Sequence, residues 1–229
     1  MNFSNIILNW YAINGRELPW RQTTDPYAIW LSEVIMQQTK IAQGTAYWER
    51  FIKRWPNVQS LANATEDEVL REWQGLGYYS RARNLHKAAQ QIVDLGYFPQ
   101  TYNELIQLKG IGEYIAAAVY SIAFAGPIAV VDGNVYRVLA RFFGIEIPID
   151  STQGKKIFKA IAQDNLPKNA PAAYNQGIMD FGAMQCTPTL PNCKVCPLIE
   201  NCFAANNNKV SSLPIKTKKT KQRERHFSY

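Results

Sequence analysis

An all-helical fold is what this sequence predicts, and three observations carry the prediction. Apolar residues recur at helical rather than strand spacing along most of the 229 residues. Helix-start signatures stand ahead of several of those stretches, and no segment alternates like a strand until the last few residues.

The elements follow in order. Asp25-Pro26 reads as an N-cap followed by proline at the first helical position, where a missing N–H is harmless, and opens a helix through Trp30, Val34 and Gln38. Thr65-Glu66-Asp67-Glu68 has the form of a capping box ahead of Val69, Leu70 and Trp73. A long helical period runs from Tyr78 to Leu95, and the Ala-rich stretch Ile115 to Ala125, Asn134 to Phe143 and Asn169 to Met184 suit helices better than strands. From Ala204 to Lys221 the chain turns polar and basic and reads as a linker. The closing Arg225-His226-Phe227-Ser228-Tyr229 alternates polar and aromatic residues, either as the start of an edge strand or as a frayed tail.

Composition sets bounds. With 47% hydrophobic and 12% aromatic residues, the chain can bury one or two modest cores. No apolar run approaches the roughly 18 to 20 residues a membrane span needs, and Met1 to Trp10 lacks the layout of a secretory signal, so an intracellular location is expected. The net charge of +7 invites a nucleic-acid reading, yet seven of the basic residues lie from Lys209 onward, and residues 1–208 carry 18 basic against 17 acidic groups. A DNA-binding face on the core must therefore be a local patch.

Chemistry gathers in a few places. Cys186, Cys193, Cys196 and Cys202 are separated by six, two and five residues, close enough for one loop to bring four thiolates to a metal centre. Disulfides are disfavoured without a secretion signal; four-cysteine zinc stays open, and one short spacing flanked by two longer ones favours a [4Fe–4S] cluster. Leu108-Lys109-Gly110-Ile111-Gly112 places two glycines between helical stretches, either as a plain corner or as a turn whose amides face a phosphate. Asp132, ahead of Gly133-Asn134, is an N-cap or a carboxylate offered to substrate.

Glu33 has Ile29, Trp30, Met36 and Gln37 as its helical neighbours. On such a face a carboxyl group resists ionisation and suits a general acid, unless it reaches solvent or pairs with an arginine. Leu18-Pro19-Trp20-Arg21 and Tyr78-Tyr79-Ser80-Arg81-Ala82-Arg83 interleave aromatic and basic residues, which suits DNA with a displaced base or a solvated helix face.

Taken together, the hairpin, the later Asp and the cysteine spacing resemble the endonuclease III superfamily of base-excision DNA glycosylases, from about Arg16 to Cys202. Leu18-Pro19-Trp20-Arg21, Ser32-Glu33-Val34-Ile35-Met36-Gln37-Gln38-Thr39, Gly75-Leu76-Gly77-Tyr78-Tyr79 and Val131-Asp132-Gly133-Asn134-Val135 are similar to the adenine DNA glycosylase, or MutY, branch. That branch acts on adenine opposite guanine or 8-oxoguanine.

The resemblance implies an all-α, two-lobed helix-hairpin-helix fold. Residues 1–25 and 126–203 would form an iron–sulfur cluster lobe, 26–125 a six-helix lobe, and 204–229 a basic linker. It implies a monomer bound to double-stranded DNA with a mispaired adenine, phosphate contacts near Gly110 and Gly112, DNA contacts at Thr39 and Asn134, and a monovalent cation at the hairpin. Gln38 and Tyr78 would wedge into the base stack, Arg21, Trp20 and Gln176 would line the adenine pocket, and the four cysteines would hold the [4Fe–4S] cluster.

In the implied reaction Glu33 protonates N7, Asp132 stabilises the oxocarbenium-like sugar, and water attacks C1′. Tyr114 stands where bifunctional relatives carry a Schiff-base lysine, so an intact abasic site is expected. Departures from the family pattern are Lys109 in place of a hairpin proline, Glu113 where a basic or neutral residue is usual, and no counterpart of the C-terminal 8-oxoguanine-recognition domain, which implies weak preference for 8-oxoguanine. A T·G-mismatch thymine glycosylase and a non-catalytic DNA-binding module are the competing readings.

Overall fold

The computed structural model describes residues 2–217. The described residues form twelve α-helices and three short 3-10 turns, with no strand among them. In chain order the helices are α1 (Phe3–Asn14), α2 (Pro26–Ile35), α3 (Ile41–Arg54), α4 (Val58–Ala62), α5 (Glu66–Glu72), α6 (Ser80–Leu95), α7 (Tyr102–Leu105), α8 (Glu113–Phe124), α9 (Gly133–Phe143), α10 (Thr152–Asp164), α11 (Pro171–Met184) and α12 (Phe203–Asn206). The all-α expectation holds. The closing polar and aromatic alternation lies outside the described residues.

Contacts divide the chain into two compact units. The first takes the residues up to Val130 together with Leu166–Gly177, and the second takes Val131–Asn165 and the residues from Ile178 on. This places α1 with α2 to α8, whereas the sequence reading grouped residues 1–25 with the cluster lobe.

The first unit is built around α2. Its sequence carries apolar or small residues on every side, and Tyr27, Ala28, Ile29, Trp30, Leu31, Ser32, Val34 and Ile35 are all buried, which only a helix enclosed by others can satisfy. Helices α3 and α8 pack directly on it. Two buried polar groups tie the packing to the backbone: Trp48 Nε1 donates to the Ala28 carbonyl at 2.9 Å, and Tyr27 Oη donates to the Trp55 carbonyl at 2.7 Å. Phe51 sits between Trp55 and Trp73 in edge-to-face contacts, with centroids at 5.2 and 5.8 Å.

Helix starts agree well with the sequence. Asp25 caps α2 by accepting from the Tyr27 amide, and Thr65 with Glu68 forms the reciprocal capping box of α5. Helix ends agree less well. The α2 helix stops at Ile35 rather than reaching Gln38, because Met36 caps it and Gln38 turns into the left-handed region at φ 57°. The long helix begins at Ser80 rather than Tyr78, which is itself left-handed at φ 45°.

In the second unit α9 packs on α10 and α12. Tyr136 meets Phe158 at 5.0 Å between ring centroids, and Phe203 fills the space over Gly144, whose φ of 68° ends α9. The segment read as a linker is docked as far as it is described. Leu213 is buried, Arg141 Nε donates to its carbonyl, the Ile149 amide donates to the Ile215 carbonyl, and Lys209 pairs with Glu146. Polar composition hid this, because the docking is made largely through backbone carbonyls.

Candidate functional site

In the first unit the candidate residues fall on three places. Glu33 lies on α2, half-buried between the buried Ser32 and Val34. Tyr114 lies in the first turn of α8, half-buried and packed against the core. Arg21 and Gln176 are joined by a residue the sequence reading overlooked: Tyr11 Oη donates to Gln176 Oε1 at 2.6 Å, and the Arg21 guanidinium stands over the Tyr11 ring at 5.7 Å. The signal was out of reach, since Tyr11 and Gln176 are 165 positions apart. Trp20 is buried against Trp48, with centroids 5.8 Å apart.

The second place is a pair of exposed turns. Gln38 follows the end of α2 and Tyr78 precedes α6; Tyr78 is 68% exposed, unusual for a tyrosine with so large an apolar ring. Both take left-handed backbone, which costs a non-glycine residue about 1–2 kcal/mol. Thr39 closes the first turn through its amide, which donates to the Met36 carbonyl at 3.3 Å. The second is held by Tyr47 Oη on the Gln74 carbonyl at 2.7 Å and by Trp73 Nε1 on the Gly77 carbonyl at 3.0 Å.

Both arginines of the Tyr78 to Arg83 stretch have partners within the protein. Arg81 donates to backbone carbonyls of the protein, and Arg83 pairs with Glu66 at 3.1 Å on the surface.

The third place is the hairpin between α7 and α8. Gly110, at φ 77°, is required twice over, because a β-carbon there would also meet Asn84 at 2.5 Å. Lys109, in place of a proline, has an amide that proline lacks, and Gln91 Oε1 accepts from it at 2.7 Å. The hairpin is thus anchored to α6 by a bond that a proline could not make. Gly112 is the N-cap of α8 and offers no side chain to cap it.

The second unit holds the remaining candidates. Asp132 is the N-cap of α9: its Oδ1 accepts from the amides of Asn134 and Val135 at 2.9 and 2.8 Å, and Oδ2 accepts from Asn134 Nδ2 at 2.8 Å. The N-terminal end of the helix dipole favours negative charge there. Asn134 Oδ1 in turn accepts from Arg137, a buried guanidinium that also donates to the carbonyls of Gly182 at 2.6 Å and Cys186 at 2.7 Å. Burial pushes the Arg137 guanidinium below its ordinary value, with Cys186 acting against that.

Cys186, Cys193, Cys196 and Cys202 line one apolar pocket with Ile199, Ala205 and Val210, and none is in a disulfide. Burial raises the Cys196 thiol to about 11 and raises Cys202 as well. Among the described residues no three His, Cys, Asp or Glu side chains are placed to hold one metal ion. Arg141, next to the pocket, donates to the carbonyls of Thr187 and Pro188 at 2.7 and 3.0 Å and to Cys186 Sγ at 3.4 Å.

The all-α architecture, the two-glycine hairpin opening an uncapped helix, and the four-thiol pocket define a helix-hairpin-helix protein. Residues 31–166 match the family described as HhH-GPD superfamily base excision DNA repair protein. The chain belongs to that superfamily.

Among its relatives is the adenine DNA glycosylase of Buchnera aphidicola subsp. Schizaphis graminum, 39% identical over 220 residues, covering 95% of this chain and 63% of that protein. The Homo sapiens adenine DNA glycosylase is 40% identical over 213 residues, covering 88% of this chain and 39% of that protein. The chain thus spans less than two thirds of the length of these curated relatives. A solved thermostable thymine-DNA glycosylase superposes with a TM-score of 0.83 at 27% identity, covering 90% of this chain and 95% of that one. An endonuclease III in non-covalent complex with DNA reaches 0.75 at 22% identity and bears on the fold alone.

Arg141 supplies a check on the second unit. Arg141→Met removes the donors of three carbonyls, those of Leu213, Thr187 and Pro188, and is expected to lower the unfolding free energy by about 3 kcal/mol in urea titrations. A loss near zero would mean that these carbonyls find other partners.

Proposed function

We propose that this chain is the catalytic part of an adenine DNA glycosylase, a monofunctional enzyme that excises adenine mispaired with 8-oxoguanine or guanine in double-stranded DNA. The observation that carries the reading is the 39% identity to an adenine DNA glycosylase along 95% of the chain. It applies to the span that includes Glu33, Asp132 and Tyr114.

Adenine leaves poorly as an anion, so the reaction needs a proton at N7. Glu33 supplies it, held by a helix whose other residues are almost all buried. Departure of adenine leaves positive charge on the sugar. Asp132, fixed by three hydrogen bonds at the head of α9, stabilises that charge electrostatically or by transient covalent capture, and water then attacks C1′. Tyr114 offers no amine for an imine, so the abasic product stays intact. Arg21, Trp20 and Gln176 position the base. Gln38 and Tyr78 fill the gap it leaves, Thr39 and Asn134 contact the DNA, and the hairpin at Gly110 and Gly112 binds backbone phosphate, with a monovalent cation held by hairpin carbonyls.

The four cysteines line one apolar pocket and would together hold a [4Fe–4S] cluster, one thiolate to each iron. Four-cysteine zinc is the alternative occupant, bound by the same thiolates. When bound, the cluster cross-links the loop between Cys186 and Cys202 and supplies no group to the base. Among the described residues no helix is long and apolar enough to cross a membrane. We read the protein as an intracellular monomer acting on chromosomal DNA.

The similarity in fold and length to a thymine-DNA glycosylase keeps a second reading open to test. Single-turnover base release from duplexes carrying A·8-oxoguanine, A·G, T·G and thymine glycol separates the two. Adenine release, with strand breaks appearing only after alkali, is the expected result. Thymine release from T·G would move the chain to the other branch. Glu33→Gln and Asp132→Asn should each slow adenine release by about a hundredfold or more; wild-type rates would refute the mechanism. Protein isolated without oxygen should carry about four irons and four sulfides per chain, with visible absorbance. Colourless protein with one zinc would overturn the cluster assignment.

A further inference from the structure

Arg81 spends its guanidinium on backbone carbonyls from two segments. Its Nη1 donates to the carbonyls of Val34 and Ile35, both at 3.2 Å, and to that of Gln37, while Nη2 donates to Leu76 at 3.1 Å and Gly77 at 3.5 Å. One planar guanidinium therefore joins the end of α2, 44 to 47 positions upstream, to the turn just before its own helix. It also stands over the rings of Trp73 at 5.1 Å and Tyr78 at 5.8 Å. The three α2-side acceptors lead straight into Gln38, and the two others lead straight into Tyr78.

Those are the two exposed residues with left-handed backbone described above. A non-glycine residue keeps such a conformation only where its surroundings over-determine it. Arg81 holds carbonyls on both flanks, sharing that of Gly77 with Trp73 Nε1, and so provides that restraint and fixes the separation of the two turns. The partners are backbone atoms, so the restraint is independent of which side chains the turns carry.

We propose that Arg81 is the positioning residue that sets the two turns as a rigid pair, so that Gln38 and Tyr78 enter the base stack together. The proposal rests on the wedge role given to those residues under the proposed function. A lysine at position 81 keeps the charge but has a single nitrogen and cannot reach five carbonyls in two directions.

The test compares Arg81→Lys with Gln38→Ala and Tyr78→Ala, using a duplex with 2-aminopurine beside a non-cleavable 2′-fluoro-adenine opposite 8-oxoguanine. The unstacking rate is read by stopped-flow fluorescence. Amide hydrogen exchange of the protein without DNA gives a second readout that does not depend on activity. Arg81→Lys should slow unstacking by about tenfold or more. It should speed exchange at the Thr39, Leu76 and Arg81 amides while leaving the core amides of α6 and α8 at wild-type protection. Combined with Gln38→Ala or Tyr78→Ala, it should add less than the product of the single effects.

If Gln38→Ala and Tyr78→Ala slow unstacking and Arg81→Lys does not, the positioning role is refuted and the wedge reading stands. If neither alanine variant slows it, the wedge reading fails and takes the proposal with it. If Arg81→Lys lowers protection throughout the unit alike, its role is general stability and the proposal is overturned.

Discussion

The burial of α2 is the constraint on which the first unit depends. Eight of its ten residues are closed off from solvent, so the helix has essentially one way to sit among α3, α6 and α8. Every side chain it carries is thereby aimed, Glu33 included. A carboxyl group on such a helix loses hydration whatever partner it finds, and its setting cannot be relaxed without disturbing the core. The end of α2 is equally determined: the helix stops at Ile35 and passes at once into the turn that presents Gln38.

A second theme is the capture of backbone carbonyls by buried and half-buried arginines. Arg81 in the first unit, and Arg137 and Arg141 in the second, each donate to several carbonyls belonging to other segments. Helix ends and loops leave carbonyls without helical partners, and an arginine with five N–H groups in a plane satisfies several at once. Arg81, which lies in a stretch the sequence offered for DNA contact, thus serves to hold irregular backbone in place. Around Asp132 the same chemistry forms a continuous chain from the Cys186 carbonyl through Arg137 and Asn134 to the carboxylate. The thiol pocket and the head of α9 therefore share a rigid frame.

Much of this was legible in the sequence where the signal is local. The cap at Asp25, the capping box at Thr65 and Glu68 and the glycine turn at Gly110 are all short-range patterns with the expected local structure, and the closely spaced cysteines line one pocket. For Asp132 the sequence left N-cap and substrate carboxylate as alternatives. The structure shows the N-cap role, and the substrate role is the one proposed above. What stayed hidden is long-range or carried by the backbone. Tyr11 meets Gln176 across most of the chain, and Arg81 acts on carbonyls that no residue type announces. The docked stretch before Thr217 looked like a linker because Arg141 holds it by a carbonyl rather than by an apolar side chain alone.

The central claim is that Glu33 acts by delivering a proton to N7 of the departing base. A duplex carrying 7-deazaadenine opposite 8-oxoguanine tests it directly, since that base keeps the Watson–Crick edge and shape of adenine but has carbon at position 7. The account predicts binding close to that of the adenine duplex and no base release in single-turnover conditions. Release of 7-deazaadenine at a rate near that of adenine would contradict it.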